Sequence, residues 1–222
     1  TPFLPFSEAE IDPLAFNMPP SAKHLLGGDD VGRDVLSRLL YGGRVSLAVG
    51  IFSTAVSVIV GIPLGMLAAF YRGAFEVVVM RLSDIFMSFP STILIMFGPS
   101  IITVTVVIGV LGWPKFARQI YGSVLSIREK DYIEGAVAIG AKDKLIITRY
   151  ILPNAVAPIF ISITFRIASA IILESSLSFL GMGVQPPAAS WGNMLYNAQS
   201  ITILTMDVGS AGTGTGNHNS FD

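Results

Sequence analysis

The chain has 222 residues, of which 52% are hydrophobic and only 13% charged, and its mean hydropathy is +0.67. A soluble domain carries about 25% charged residues, so this composition argues against a soluble enzyme and against a disordered tail. A formal charge of −1 gives no sign of nucleic-acid binding, and the absence of cysteine excludes disulfides and cysteine-ligated zinc.

The chain opens with a Pro-rich stretch, Thr1 to Pro20, that has neither the basic start nor the apolar core of a signal peptide. From Val31 to Leu40, the residues Val31, Val35, Leu36, Leu39 and Leu40 share one helical face, with Arg33, Asp34, Ser37 and Arg38 on the others. Asp30 is the expected N-cap, Asp34 and Arg38 an i,i+4 pair, and Gly42-Gly43 the expected stop. Residues 1–44 thus read as a segment ending in an amphipathic helix at the membrane interface, extracytoplasmic if the 85–114 stretch that follows crosses twice and cytoplasmic if it crosses once.

No charge occurs between Arg44 and Arg72. A helix needs about 20 apolar residues to cross the hydrocarbon core, so 45–71 is the first predicted span. Gly61 and Gly65 inside it offer close helix packing, and Pro63 permits a kink. A second uncharged stretch, 85–114, is interrupted by Pro90 and Gly98-Pro99, and reads either as one broken helix or as a short hairpin. A third span is expected at 153–173, where Arg166 is the single charge. An arginine there costs about 2.5–3.5 kcal/mol on insertion, so it should face the protein interior or a watery path. Two readings stand: a residue lining a translocation path, or one that snorkels or pairs with a partner.

Basic residues concentrate between Lys115 and Tyr150, and none follows Arg166. By the positive-inside rule 115–152 is the expected cytoplasmic side and 174–200 an external loop. Ile133, Ala136, Val137 and Gly140 recur at helical spacing with Gly140 as a natural stop, and a second amphipathic turn follows from Asp143 before Pro153 opens the next span. Two short helices joined at Gly140 form an elbow, open to reading as a docking surface or as a plain re-entrant loop. Glu174 marks the edge of the span, and Trp191 suits an interfacial position. Residues 206–222 are a Gly/Thr/Asn-rich low-complexity tail.

Chemistry-bearing motifs are absent from the sequence. Gly135 to Lys142 resembles a phosphate loop, but the lysine falls one place late and no Ser or Thr follows it. The two histidines, His24 and His218, form no metal-binding pair. A membrane-embedded enzyme would need an acid/base or metal constellation, and the spans offer only Arg166 with Glu174 at one edge.

Three motifs together carry a family resemblance, from His24 to about Ala198. Gly28-Asp-Asp-Val-Gly-Arg-Asp-Val-Leu-Ser-Arg38, Glu134-Gly-Ala-x-x-x-Gly140 with Leu152-Pro153, and Leu177-Ser-Phe-Leu-Gly-Met-Gly-Val-Gln-Pro-Pro187 with Ser190-Trp-Gly-Asn-Met-Leu195 resemble the permease subunit of ATP-binding-cassette (ABC) importers of the dipeptide/oligopeptide/nickel type. The match is to the second permease of the pair. The resemblance implies an all-α, polytopic transmembrane bundle with its permease domain at 45–205, truncated at both ends relative to a typical member.

It also implies a coupling elbow at Glu134, Gly135, Ala136, Gly140, Leu152 and Pro153 that docks on a separate ATPase. The partners implied are a second permease subunit, ABC ATPase subunits, an external solute-binding protein and the lipid bilayer. ATP is used by the ATPases, and the chain itself holds no cofactor, metal or catalytic residue. The expected location is the bacterial cytoplasmic (inner) membrane. Peptide is the expected cargo, with nickel or another small solute as the alternative and a non-functional truncated copy as a third reading. Gly135 stands where the family has alanine.

Overall fold

The computed structural model describes residues 6, 7, 9–89 and 100–199. Its named helices are α1 (Val35–Tyr71), α2 (Gly73–Ser88), α3 (Ile101–Arg128), α4 (Asp131–Ala138), α5 (Asp143–Leu145) and α6 (Leu152–Phe179). Residues 191–199 form a further helix, α7. Among the described residues, three helical runs are long and apolar enough to cross a membrane: Val35–Tyr71, Ile101–Arg128 and Asp143–Phe179. The fold is therefore all-α and multi-pass. The chain divides into one unit of residues 1–45 and 175–222 and another of residues 46–174.

The second unit is built on helix contacts that small residues permit. A Cβ on Gly61 would stand 2.5 Å from the Trp113 carbonyl oxygen, and one on Gly65 only 2.1 Å from that of Ala117. The small-residue pair of α1 thus lets its backbone press against α3, as the spacing predicts. Ser57 Oγ donates across this contact to the Gly109 carbonyl at 2.7 Å. Gln119 Nε2 donates from α3 to Ser162 Oγ of α6 at 2.6 Å, and Ser46 Oγ of α1 donates to Glu174 Oε2 at 2.7 Å. Phe116, Ile120, Val124, Ile133, Ile146, Ile151 and Ile159 form the main buried cluster. On α2, Asp84 pairs with Arg118 and Glu76 accepts from the Tyr121 hydroxyl, which ties α2 to α3. The outward faces of α1 and α6 keep Phe52, Ile59, Phe160, Ile161, Phe165 and Ile172 exposed. Such continuous apolar surface fits lipid or a neighbouring span rather than water.

The first unit is organised by side-chain caps. Asp34 Oδ2 accepts the Ser37 amide at 2.8 Å and so caps α1, while its Oδ1 lies 3.0 Å from His24 Nδ1. Asp29 accepts the amides of Val31 and Arg33 and the Arg33 Nε at 2.8 Å, closing the loop before α1. Burial alone would raise the Asp34 pKa. The Ser37 hydroxyl and amide together with His24 outweigh that and hold the carboxyl below its ordinary range. Asp12 is likewise lowered, first by Lys23 and then by the Leu14 amide. Ser190 and Asn193 cap α7 reciprocally: Asn193 N donates to Ser190 Oγ and Ser190 N to Asn193 Oδ1. Trp191 Nε1 donates to the Leu39 carbonyl at 3.1 Å.

Several sequence expectations are corrected. The N-cap is Asp34, not Asp30, so Val31 lies in the loop and helix α1 is continuous from Val35 through Gly42-Gly43. Gly43 is a contact point rather than a stop, since a Cβ there would stand 3.0 Å from the Trp191 ring. Residues 115–128, assigned to the elbow, are the C-terminal half of α3, which passes through Pro114 unbroken. The span expected to open at Pro153 is already helical from Asp143. It widens into a π-helical turn at Ile146–Ile151, which accommodates a proline that lacks its amide and crowds the preceding turn.

Of the 85–114 stretch, α2 supplies the residues up to Ser88 and α3 begins at Ile101. The Pro90 and Gly98-Pro99 interruptions lie outside the described residues, as does the tail 206–222. The segment 174–200, expected as a loop, contains the end of α6 and the whole of α7.

Candidate functional site

Of the elbow residues, Glu134, Gly135 and Ala136 lie on α4 and Gly140 just beyond its end, while Leu152 and Pro153 open α6. Helix α4 is rooted by Ile133 and Ala136, which are buried in the main apolar cluster. It ends in a Schellman turn: Ala141 N donates to the Ala136 carbonyl at 3.1 Å and Gly140 N to that of Val137 at 2.9 Å. Gly140 takes φ +77°, the left-handed geometry that this turn requires. The spacing that marked Gly140 as a stop is therefore realised.

Around this rigid turn the side chains face out. Ile139 is 86% exposed and Val137 58%, and Tyr132 at the start of α4 is exposed too. Glu134, Gly135 and Pro153 are also exposed, Leu152 is half-buried, and of the predicted set only Ala136 is buried. A Cβ on either Gly135 or Gly140 would meet nothing within 4 Å. Next to α4 lies an open cavity of about 670 Å³ whose lining includes Phe70, Arg72, Arg128, Glu129, Glu134 and Asp143. The Arg128 guanidinium sits over the Phe70 ring at 5.9 Å. Together these make a firm scaffold presenting an apolar tip edged with both signs of charge.

Arg166 lies apart from the elbow, on α6. Its Nη2 donates to the Ile108 carbonyl of α3 at 2.9 Å, while its Nε is buried without a hydrogen-bond partner. Gly112 makes this approach possible, because a Cβ there would fall 2.4 Å from Arg166 Nη2. A cavity of about 250 Å³ opens beside the guanidinium, and Lys115 of α3 also lines it. Sequence reasoning missed that Lys115 lines the same cavity as Arg166. Its only signal was position, a lone cation directly after an uncharged stretch. Among the described residues no group of three or more His, Asp or Glu could hold a metal ion.

Comparison with known proteins gives three concordant findings. The model of the family described as "Binding-protein-dependent transport system inner membrane component" matches residues 61–210. Among curated relatives, the chain is 41% identical over 197 residues to the glutathione transport system permease protein GsiD of Pectobacterium atrosepticum, covering 86% of this chain and 65% of that protein. It is 39% identical over 207 residues to a putative peptide permease protein of Brucella ovis, covering 91% of this chain and 68% of the relative. The chain thus spans about two thirds of the length of these relatives. Among solved structures, a chain of the MetNI methionine ABC transporter in an inward-facing conformation superposes with a TM-score of 0.63. The identity is 21%, with 75% of this chain and 82% of that chain covered, and the likeness shows the shared fold.

Proposed function

Because the chain belongs to the family of binding-protein-dependent transport system inner membrane components, we propose that it is one of two permease subunits of an ATP-driven importer in a bacterial cytoplasmic membrane. Peptides are the proposed cargo, a reading supported by the glutathione and peptide permeases to which the sequence is similar. In this reading an external binding protein delivers the peptide, two permeases enclose the path, and separate ATPases drive alternating access. The α4 elbow lies on the cytoplasmic side and docks into a groove on an ATPase.

The observation that carries the reading is the exposed apolar tip on a buried root. Ala136 and Ile133 anchor α4, while Ile139 and Val137 project where water would otherwise cover them. Burial of such an apolar tip against another protein recovers the cost of exposing it to water. The rigid Schellman turn lets a push on the tip move α4 and, through the shared core, α3 and α6.

Co-expression with a partner permease and ATPases, followed by affinity purification, tests this. Ile139→Asp is a cleaner probe than Gly140→Asp, since any side chain at φ +77° strains the turn whether or not it docks. Recovery of ATPase should fall by about tenfold or more in Ile139→Asp, with the chain's own melting unchanged. Undiminished recovery removes the docking assignment.

A further inference from the structure

Where Arg166 projects from α6, the cavity of about 250 Å³ is walled by Phe86, Met87 and Phe89 from the end of α2, by Ile108, Leu111 and Lys115 from α3, and by Leu173 from α6. Two cations line it, and among the described residues no carboxylate does. The nearby acids are engaged elsewhere: Asp84 pairs with Arg118, and Glu174 accepts from Ser46. Arg166 is held by one neutral acceptor, the Ile108 carbonyl, and its buried Nε donates to nothing. A guanidinium has five donors in a fixed fork. Here one arm is spent on the backbone, and the charge and an inner donor stay uncompensated inside an apolar span.

An uncompensated cation in such a place is costly, and the fold takes deliberate steps to keep it. Gly112 gives up its side chain so that Arg166 can reach α3, and Phe86 is fixed edge-on against Trp113 at 5.6 Å between ring centroids. We propose that Arg166 and Lys115 form a subsite for the carboxylate of a transported solute, with Phe86 and Phe89 flanking the apolar group next to that carboxylate. The volume suits one terminal residue rather than a whole peptide. The fork of Arg166 supplies direction and the exposed Lys115 adds a second positive charge at the mouth. This rests on the permease reading and deepens it. The permease itself then distinguishes solutes carrying a carboxylate from neutral ones, in addition to any choice made by a binding protein.

The chain has no cysteine, so Met87→Cys places a single reporter thiol in the cavity wall without touching either cation. Alkylation by a neutral maleimide is followed in nanodiscs, both with the chain alone and with the complete transporter. The probes are alanyl-alanyl-phenylalanine and the same tripeptide as its C-terminal amide. The free acid should slow alkylation by about tenfold at saturation, and the amide should not. Arg166→Gln should raise the half-protecting concentration of the acid by about tenfold or more, and Lys115→Gln by less. Should Arg166→Gln fail to fold, Arg166→Lys and Lys115→Gln carry the comparison.

Equal protection by acid and amide, protection by neither, or protection that survives both cation substitutions overturns the subsite. A thiol that is reactive in the chain alone but silent in the complete transporter overturns it too, because a partner subunit then fills the niche. Failure to assemble with ATPases counts against the permease reading, while the protection measured on the chain alone still decides the subsite.

Discussion

The two units handle polar groups in opposite ways. In the first, buried polar side chains meet one another: His24 and Asp34 are both under 5% exposed and lie 3.0 Å apart, and Asp29 gathers the Arg33 guanidinium and two amides. In the second, α1, α3 and α6 are joined mainly by hydroxyls, an amide and bare glycine backbone, the Asp84–Arg118 ion pair between α2 and α3 is half-exposed, and Arg166 donates to a carbonyl. Charges in the first unit thus build a turn and a helix start. In the second, α1 meets α3 by close packing at Gly61 and Gly65, a contact that needs no charge.

The largest expected effect breaks the packing half of this contrast. Gly65→Val would drive a branched side chain into the Ala117 carbonyl, which a Cβ already approaches at 2.1 Å. The obstacle is backbone on a second helix, so relief requires α1 and α3 to separate. We expect a cost of at least about 1–3 kcal/mol, seen as a lowered melting temperature of the purified chain. Gly122→Val on the same α3 is the control, since nothing lies within 4 Å of that position. Equal melting of the two variants would mean that the glycine contact is incidental.

Next in size is the charged half. Asp34→Ala removes both the cap of α1 and the partner of His24. A lost cap and a stranded buried donor together cost about 1–3 kcal/mol. Local exchange of the Ser37 amide should accelerate while the helices of the second unit keep their protection. The pH dependence has a definite sign. The folded-state pKa of Asp34 is lowered from an ordinary 3.8, so its stabilisation is full above that value and is lost as pH falls through the lower, folded value. Trp191 fluorescence in a Trp113→Phe background should therefore stay constant above the carboxylate range and change below it. A transition centred near neutrality would rule out this carboxylate as its cause.

How far the sequence foretold these features depends on the range of the interaction responsible. Absent charges made the membrane helices legible, because spanning needs only local composition. Gly140 was legible as a stop because a Schellman turn closes within six residues. Gly42-Gly43 carried the same local signal and meant something else, since its partners, Ser190 and Trp191, are far along the chain. The elbow was drawn too long for a related reason. The concentration of basic residues from Lys115 onward marked the whole segment as cytoplasmic, yet Arg118 pairs with Asp84 across to α2 and the helix continues through both Lys115 and Arg118. Arg166 was visible as an anomaly, but that Lys115 shares its cavity required the approach of α3 to α6.

The smallest expected effect sharpens the comparison inside the elbow, where two exposed glycines differ only in backbone geometry. Gly135 lies within α4 at ordinary helical angles with nothing within 4 Å of a Cβ, whereas Gly140 sits at φ +77°. Space is equally open at both, so any difference must come from the chain conformation. Gly135→Ala should stabilise α4 by about 1 kcal/mol through restored helix propensity, and Gly140→Ala should destabilise the turn by about as much. Hydrogen exchange of the α4 amides would read both changes, slower in the first variant and faster in the second. Neither side chain adds charge or reaches the exposed apolar tip, so recovery of ATPase should be unaltered in Gly135→Ala. If Gly135→Ala instead loses the ATPase while α4 is stabilised, then the partner surface touches the helix at Gly135 itself, and the docking face extends from the tip back along α4.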